Sequence, residues 1–179
     1  MKKKIGLVSL GCPKNLVDSE KMLASLKDNG YEIVADEKEA EIIIVNTCGF
    51  IESSKQESIN TILEMAENKK QSCELLIVTG CLAQRYKETI LEEIPEVDAV
   101  VGTGNYGEIA SVIKAAYGGG RPLLCTTPGD GLYQEDGKRI ISTGKSYAYL
   151  KIAEGCDNCC TYCVIPSLRG PYRSRRIEE

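Results

Sequence analysis

An α/β domain with a mostly parallel sheet flanked by helices is the fold class this sequence predicts, on three observations. Three apolar runs, IGLVSL (5–10), EIIIVNT (41–47) and ELLIVTG (74–80), are nearly continuous rather than alternating. That is the pattern of parallel strands covered on both faces. Amphipathic helical patterns separate the runs. The alternation continues to about residue 117, in the order that strand–helix–strand units require.

Taken in order, residues 5–10 form the first strand, and Met22, Leu23 and Leu26 share one face of the helix that follows. YEIVA (31–35) is a weaker strand, and 41–47 is the third. Ile59, Ile62, Leu63 and Ala66 line one face of the second helix, with Ser54 and Glu57 in capping-box spacing. After the strand at 74–80, Ile90, Leu91 and Ile94 mark a third helix that stops near Pro95. VDAVVG (97–102) is the fifth strand, and Ile109, Val112, Ile113 and Ala116 make the fourth helical face, ended by GGGRP at 118–122. Residues 123–146 are turn-rich (TTPGDG, EDGKR, TGK), with RIIS (139–142) as a candidate short strand. A further apolar strand, SYAYLKIAEG (146–155), runs into a cysteine cluster. The expected division is a first domain over 1–117, a linker over 118–145 and the start of a second, truncated domain over 146–179. The chain has no internal repeat and no low-complexity segment.

At 179 residues, 42% hydrophobic and 27% charged, the chain has material for one ordinary core and the beginning of another. A net charge of -4 excludes whole-surface attraction to nucleic acid and leaves only a local basic patch, RGPYRSRR at 169–176. Arg169, Arg173, Arg175 and Arg176 are expected in a solvated linker there, since charge runs are usually exposed. Tyr172, one aromatic beside them, is too little for base stacking. No run approaches the ~18 apolar residues of a membrane span, so no membrane partner is expected. MKKKIGLVSLGC resembles a lipoprotein export signal, but its apolar stretch, Ile5–Leu10, is at or below the ~7–15 residues of a signal core. The nine cysteines are therefore read in a reducing cytoplasm, where clustered thiols indicate metal or redox chemistry rather than crosslinks.

Three of those cysteines follow strands: Cys12 in SLGC, Cys48 in VNTC and Cys81 in VTGC. In a parallel sheet the ends of strands share one edge, the carboxyl edge where open α/β sheets place ligands. Thiols far apart in sequence converge there, with Gly11, Gly49 and Gly80 allowing close backbone approach. A single free cysteine is commonly just a small buried residue. Three at equivalent positions favour a shared ligand. Cys73 and Cys125 are placed differently and are read as structural.

The stretch GCDNCCTYC (155–163) adds four cysteines to a chain with no histidine. All-thiolate ligation selects Zn, Cu(I) or an iron–sulfur cluster. A structural zinc site joins two C-x2-C pairs across a longer gap. Cys156, Cys160 and Cys163 instead give C-x3-C-x2-C in one loop, with no second pair nearby. Three thiolates on a four-iron cluster leave one iron open to substrate. Cys156, Cys159 and Cys163 give the competing C-x2-C-x3-C, and adjacent residues such as Cys159 and Cys160 point in different directions.

C-x3-C-x2-C after a strand resembles the signature of radical S-adenosylmethionine enzymes. SLGCPKNLVDSE, IIIVNTCGFI, VTGCLAQRY and YLKIAEGCDNCCTYCVIPSLRGPYRSR are together similar to the methylthiotransferases of that group, across essentially the whole chain. The resemblance implies that Cys12, Cys48 and Cys81 ligate an auxiliary [4Fe–4S] cluster that holds or supplies the inserted sulfur. It makes Cys156, Cys160 and Cys163 ligands of a second [4Fe–4S] cluster, whose open iron binds S-adenosyl-L-methionine for reductive cleavage to a 5′-deoxyadenosyl radical. Cys159 stands where the family has an arginine or similar residue and is left without a role. No residue is assigned a catalytic role. SLGCPKN, where the tRNA-modifying branch tends to show TFGCQMN, resembles the branch that methylthiolates an aspartate β-carbon of a small-subunit ribosomal protein. That protein is the implied partner; a nucleic-acid partner belongs only to the tRNA alternative, and no electron donor is identified.

A full (β/α)8 barrel takes ~250 residues, so the chain is expected to be an N-terminal fragment, inactive alone, with a partnerless strand at 146–155. A non-catalytic cluster carrier or electron-transfer module is the alternative from another class. It fits poorly with an open three-ligand cluster, because electron-transfer clusters usually have every iron capped. GTGNYGE (102–108) opens a helix but lacks the G-x-G-x-x-G spacing of a dinucleotide site.

Overall fold

In the computed structural model, which describes residues 2–128 and 138–177, two strands with every residue buried form the centre of the sheet: β3 (Ile42–Thr47) and β4 (Leu75–Gly80). Around them lie β1 (Lys4–Ser9), β2 (Glu32–Ile33), β5 (Ala99–Val101) and β6 (Leu123–Leu124), in the spatial order β2-β1-β3-β4-β5-β6. Every neighbouring pair is parallel. The continuous apolar runs have the cause expected of them, since both faces are covered. Ile43, Val45, Leu76 and Val78 face α2 (Glu52–Ala66) and α3 (Cys81–Glu93), while Ile42, Ile44 and Ile77 face α1 (Pro13–Asp28) and α4 (Ile109–Tyr117).

The five strands and four helices predicted for residues 1–117 are present, and the local differences have physical reasons. α2 begins at Glu52 with Ile51 at its N-cap and no side-chain cap; the amide of Lys55 closes the first turn on Ile51 O at 3.0 Å. Ser54 is thus inside the helix, and the capping-box reading is incorrect. Ile59 and Leu63, expected in the core with Ile62 and Ala66, are exposed at the edge of the helix face. The sheet takes β6 from residues expected in the connection, because Val100 and Gly102 offer free amides to Pro122 O and Leu124 O at 3.0 and 2.8 Å. RIIS forms no strand. Instead Glu20 of α1 holds it, accepting from Arg139 and from both the amide and the hydroxyl of Ser142. The turns read in TTPGDG and EDGKR fall largely on 129–137, outside the described residues.

The expected strand at 146–155 is reduced to β7 (Ala153–Glu154), and it is not partnerless. It pairs antiparallel with β8 (Arg173–Ser174), so the chain's own later segment satisfies its edge. Between them lie the cysteine loop and α5 (Ile165–Arg169), where Leu168 is 1% exposed and its carbonyl accepts from Thr103 Oγ1 at 2.6 Å. Among the described residues no helix is long and apolar enough to cross a membrane.

Candidate metal centre

The strand order fixes where a ligand belongs. After β1 the chain adds β2 on one side of it and β3 on the other, so the direction of winding reverses between β1 and β3. The crevice at the carboxyl ends of strands flanking such a reversal is where open α/β sheets bind ligands. Cys12 lies just beyond the end of β1, Cys48 immediately follows β3, and Cys81 follows β4, the next strand along.

Two glycines bring these ends into contact. Gly11, at φ +89°, lies so close to the β3 loop that a Cβ on it would be 2.8 Å from Cys48 Cβ and 3.2 Å from its Sγ. Gly80, at φ +95°, abuts the end of β3; its Cβ would fall 2.3 Å from Asn46 Oδ1 and 2.5 Å from Thr47 O. Both conformations favour glycine. Their role here is to pack strand ends against one another. Cys81 is then near enough to Cys12 and Cys48 for both to affect its ionisation.

The electrostatics of the three thiols is uneven. Cys12 is exposed, while Cys48 and Cys81 are buried at 8% and 6% exposure. Burial is the main cause that pushes the Cys81 thiol up, Cys12 and Cys48 add to it, and the Arg169 guanidinium opposes it by charge and hydrogen bond. Cys12 is the N-cap of α1 and Cys81 the first residue of α3. Both therefore sit at the positive end of a helix, which favours negative charge.

Asn15, fully buried, is the hub of the polar support. Its Nδ2 donates to Leu10 O at 3.1 Å and Thr47 O at 2.8 Å, tying the ends of β1 and β3. Asn46 Nδ2 donates to Asn15 O and Ser19 Oγ, both at 2.8 Å. Asn15 Oδ1 lies 3.7 Å from Cys81 Sγ and accepts from Arg169 Nη2. Arg169 is 5% exposed; its Nη1 donates to Asp18 Oδ2 at 2.7 Å and to Glu154 Oε2 at 3.2 Å. Lys151 Nζ meets the same two carboxylates at 2.6 and 3.0 Å, and Lys14 Nζ reaches Glu154 Oε1 at 3.2 Å. Burial acts against ionisation of Glu154, but Arg169, Lys151 and Lys14 outweigh it and bring its pKa to about 2. The solvated-tail reading of Arg169 is thus overturned: buried carboxylates of α1 and β7 draw it in. Arg176 is exposed.

Sequence reasoning missed Asn15, Asp18, Glu154, Lys151 and Arg169. The available signal was PKNLVDSE after Cys12, which sets Asn15, Asp18 and Ser19 at helical spacing on one face and buries all three.

The second triad occupies the loop between β7 and α5. Cys156 and Cys163 are half-buried and Cys160 is exposed. The amide of Cys156 donates to Gly170 O at 3.1 Å, that of Cys163 to Cys160 O at 3.0 Å, and that of Tyr172 to Asp157 Oδ1 at 2.8 Å. Cys159 is exposed at φ +49°, in the left-handed region. Cys73 is buried with its thiol 3.2 Å from Leu75 O, and burial raises the Cys125 thiol to about 11.

Among the described residues no three Cys, His, Asp or Glu side chains surround one point closely enough for a single metal ion. A four-iron cluster makes a different demand, because each thiolate takes a separate iron. The first triad can supply three such thiolates: its cysteines follow three neighbouring strand ends at the switch point, near a buried guanidinium and two helix N-termini. A cleft of about 210 Å³ between Cys12 and the rings of Tyr147 and Tyr149 opens this rim to solvent. Another cleft, of about 460 Å³ between α2 and α3, contains no cysteine.

Comparison with known proteins places this geometry in context. Residues 4–102 match the family described as Uncharacterized protein family UPF0004. "Ribosomal protein uS12 methylthiotransferase RimO" of Acetivibrio thermocellus is 58% identical over 187 residues, which span 100% of this chain and 41% of that protein. Proteins of the same name from Geotalea uraniireducens and Lachnoclostridium phytofermentans are 57% and 58% identical, over 100% and 98% of this chain and 40% of theirs. The chain thus spans about two fifths of the length of these relatives.

Proposed function

Since this chain belongs to Uncharacterized protein family UPF0004, we propose that it is the cluster-binding part of a radical S-adenosylmethionine methylthiotransferase. The substrate of the whole enzyme is ribosomal protein uS12, the protein in its relatives' names, modified at an aspartate β-carbon. The observation that supports this reading is the placement of Cys12, Cys48 and Cys81 at the neighbouring strand ends of the β1/β3 switch point, with Asn15 and Arg169 beside them. Residues 1–117 form the domain that holds the auxiliary [4Fe–4S] cluster through those three thiols. Residues 118–145 connect it to 146–179, where Cys156, Cys160 and Cys163 hold a second cluster and leave one iron for S-adenosyl-L-methionine. When bound, the two clusters supply the electron that cleaves S-adenosyl-L-methionine and the sulfur to be inserted.

The chain's own residues hold and orient. Asn15 locks the ends of β1 and β3 together. Ser58 receives the Cys48 amide at 3.0 Å and returns a hydrogen bond to its carbonyl at 2.9 Å, fixing that loop. The helix N-termini at Cys12 and Cys81 favour the anionic form of the centre.

Iron and acid-labile sulfide analysis after anaerobic reconstitution tests the assignment. About eight irons per chain are expected, four per cluster, falling by about four in a Cys12→Ala/Cys48→Ala/Cys81→Ala variant and unchanged in Cys159→Ala. Stoichiometric zinc without iron overturns it. Assay of the full-length enzyme on uS12 and on tRNA tests the substrate; thiomethylated tRNA as the only product overturns that part.

A further inference from the structure

We infer that Arg169 is a positioning residue of the Cys12/Cys48/Cys81 centre, delivered from the far end of the chain, so that this centre is complete only when the segment bearing the second cysteine loop is docked on it. The inference rests on the cluster reading above.

Geometry carries it. One buried guanidinium meets Asn15 Oδ1, Asp18 and Glu154 at once. Asn15 in turn holds the strand ends that bear Cys12 and Cys48. Arg169 therefore reaches the three strand ends through a single amide, whose Oδ1 lies 3.7 Å from Cys81 Sγ. Outer-shell groups of this kind orient ligands and tune the centre they surround.

Placement adds a coupling. Glu154 precedes Cys156 by two residues, and Arg169 follows Cys163 by six. These two residues bracket the second cysteine loop, and both are paired with each other and with α1, Glu154 through Lys14 and Arg169 through Asp18. The antiparallel pair of β7 and β8 closes the same bracket from outside. The two cysteine triads are thus fixed relative to each other by one buried ion group rather than by a flexible tether.

The test confines iron to the first triad by using the full chain with Cys156→Ala, Cys160→Ala and Cys163→Ala as background. Release of iron to a chelator and the reduction midpoint, followed by paramagnetic resonance, are measured after reconstitution. Arg169→Gln is expected to release iron about tenfold faster and to move the midpoint to a more negative value, because a buried positive charge near the centre is lost. Removing Arg169 leaves Asp18 paired with Lys151, so Asp18→Asn/Arg169→Gln is measured too. It removes the carboxylate together with its lost partner and should keep the altered midpoint and the faster release. Arg169→Lys should recover part of the midpoint, and Arg176→Gln should match the background. A double variant that returns both readouts to background values overturns the inference, since Arg169 would then act only as a packing partner of Asp18. A background chain that takes up no iron overturns the cluster reading, and the inference falls with it.

Discussion

Asp18 and Arg169 are 151 positions apart in sequence and joined by a 2.7 Å hydrogen-bonded ion pair, with both side chains buried. Breaking a buried pair leaves an uncompensated charge, at roughly 3–5 kcal/mol. Asp18→Asn should lower the unfolding free energy obtained by urea titration by an amount in that range. Asp18→Asn/Arg169→Gln should lower it by less than the two single changes added together, because the residues share one interaction. Simple additivity would show that the pair is not energetically coupled.

Gly80→Ala should destabilise the domain by roughly 2–4 kcal/mol, combining backbone strain with overpacking. Its φ is +95°, and beyond Asn46 Oδ1 at 2.3 Å the obstacles, Thr47 O and N at 2.5 and 2.8 Å, are backbone atoms that cannot rotate away. Gly30→Ala is the comparison: φ is +89° but nothing lies within 4 Å, so only strain of about 1 kcal/mol applies. Equal losses at the two positions, measured by urea titration, would contradict the close packing of the ends of β3 and β4.

Alkylation of the reduced, metal-free chain at pH 8 should follow exposure. Cys12, Cys159 and Cys160 are open and should react first. Cys73 and Cys81, buried and with thiols that burial raises, should react last. Mass spectrometry of timed quenches reads the order, and early labelling of Cys73 would refute it.

Glu20 links acidity to the docking of residues 138–150 on α1. Burial resists its ionisation, yet the hydrogen bonds from Ser142 and the charge of Arg139 outweigh that and hold its pKa below the ordinary 4.5. A lowered folded pKa means that the stabilisation is present above the unfolded value and is lost as pH falls through the folded one. Protection of the Ser142 amide against hydrogen exchange, corrected for intrinsic rate, should therefore be full near pH 6 and decline below 4.5. Glu20→Gln should remove that dependence. A flat profile in the parent would contradict it.

How much was legible depended on whether the information was local. Runs such as EIIIVNT and ELLIVTG identify buried parallel strands because both faces are apolar, and SLGC, VNTC and VTGC place each thiol at the end of a strand. The strand order was not legible, because pairing between distant segments leaves no local trace. For the same reason Arg169 looked like one member of a basic tail, although its partners are Asp18 and Glu154. Ile59 and Leu63 have helical periodicity, yet periodicity does not say how wide a stripe the sheet covers. Glu20 gave no signal either, since its ligands come from a turn-rich stretch.

The long reach from Arg169 to Asp18 also sets an order in time. A ribosome makes a chain from its amino end, so Cys12, Cys48 and Cys81 and the strands beneath them leave the exit tunnel well before Arg169 does. During that interval Asp18 has no guanidinium, and the strand ends lack the segment that later docks beside them. Emergence of residues 151–174 brings Arg169 to Asp18 and sets the second cysteine loop against the sheet edge, so the first three cysteines experience two successive surroundings as the chain is made.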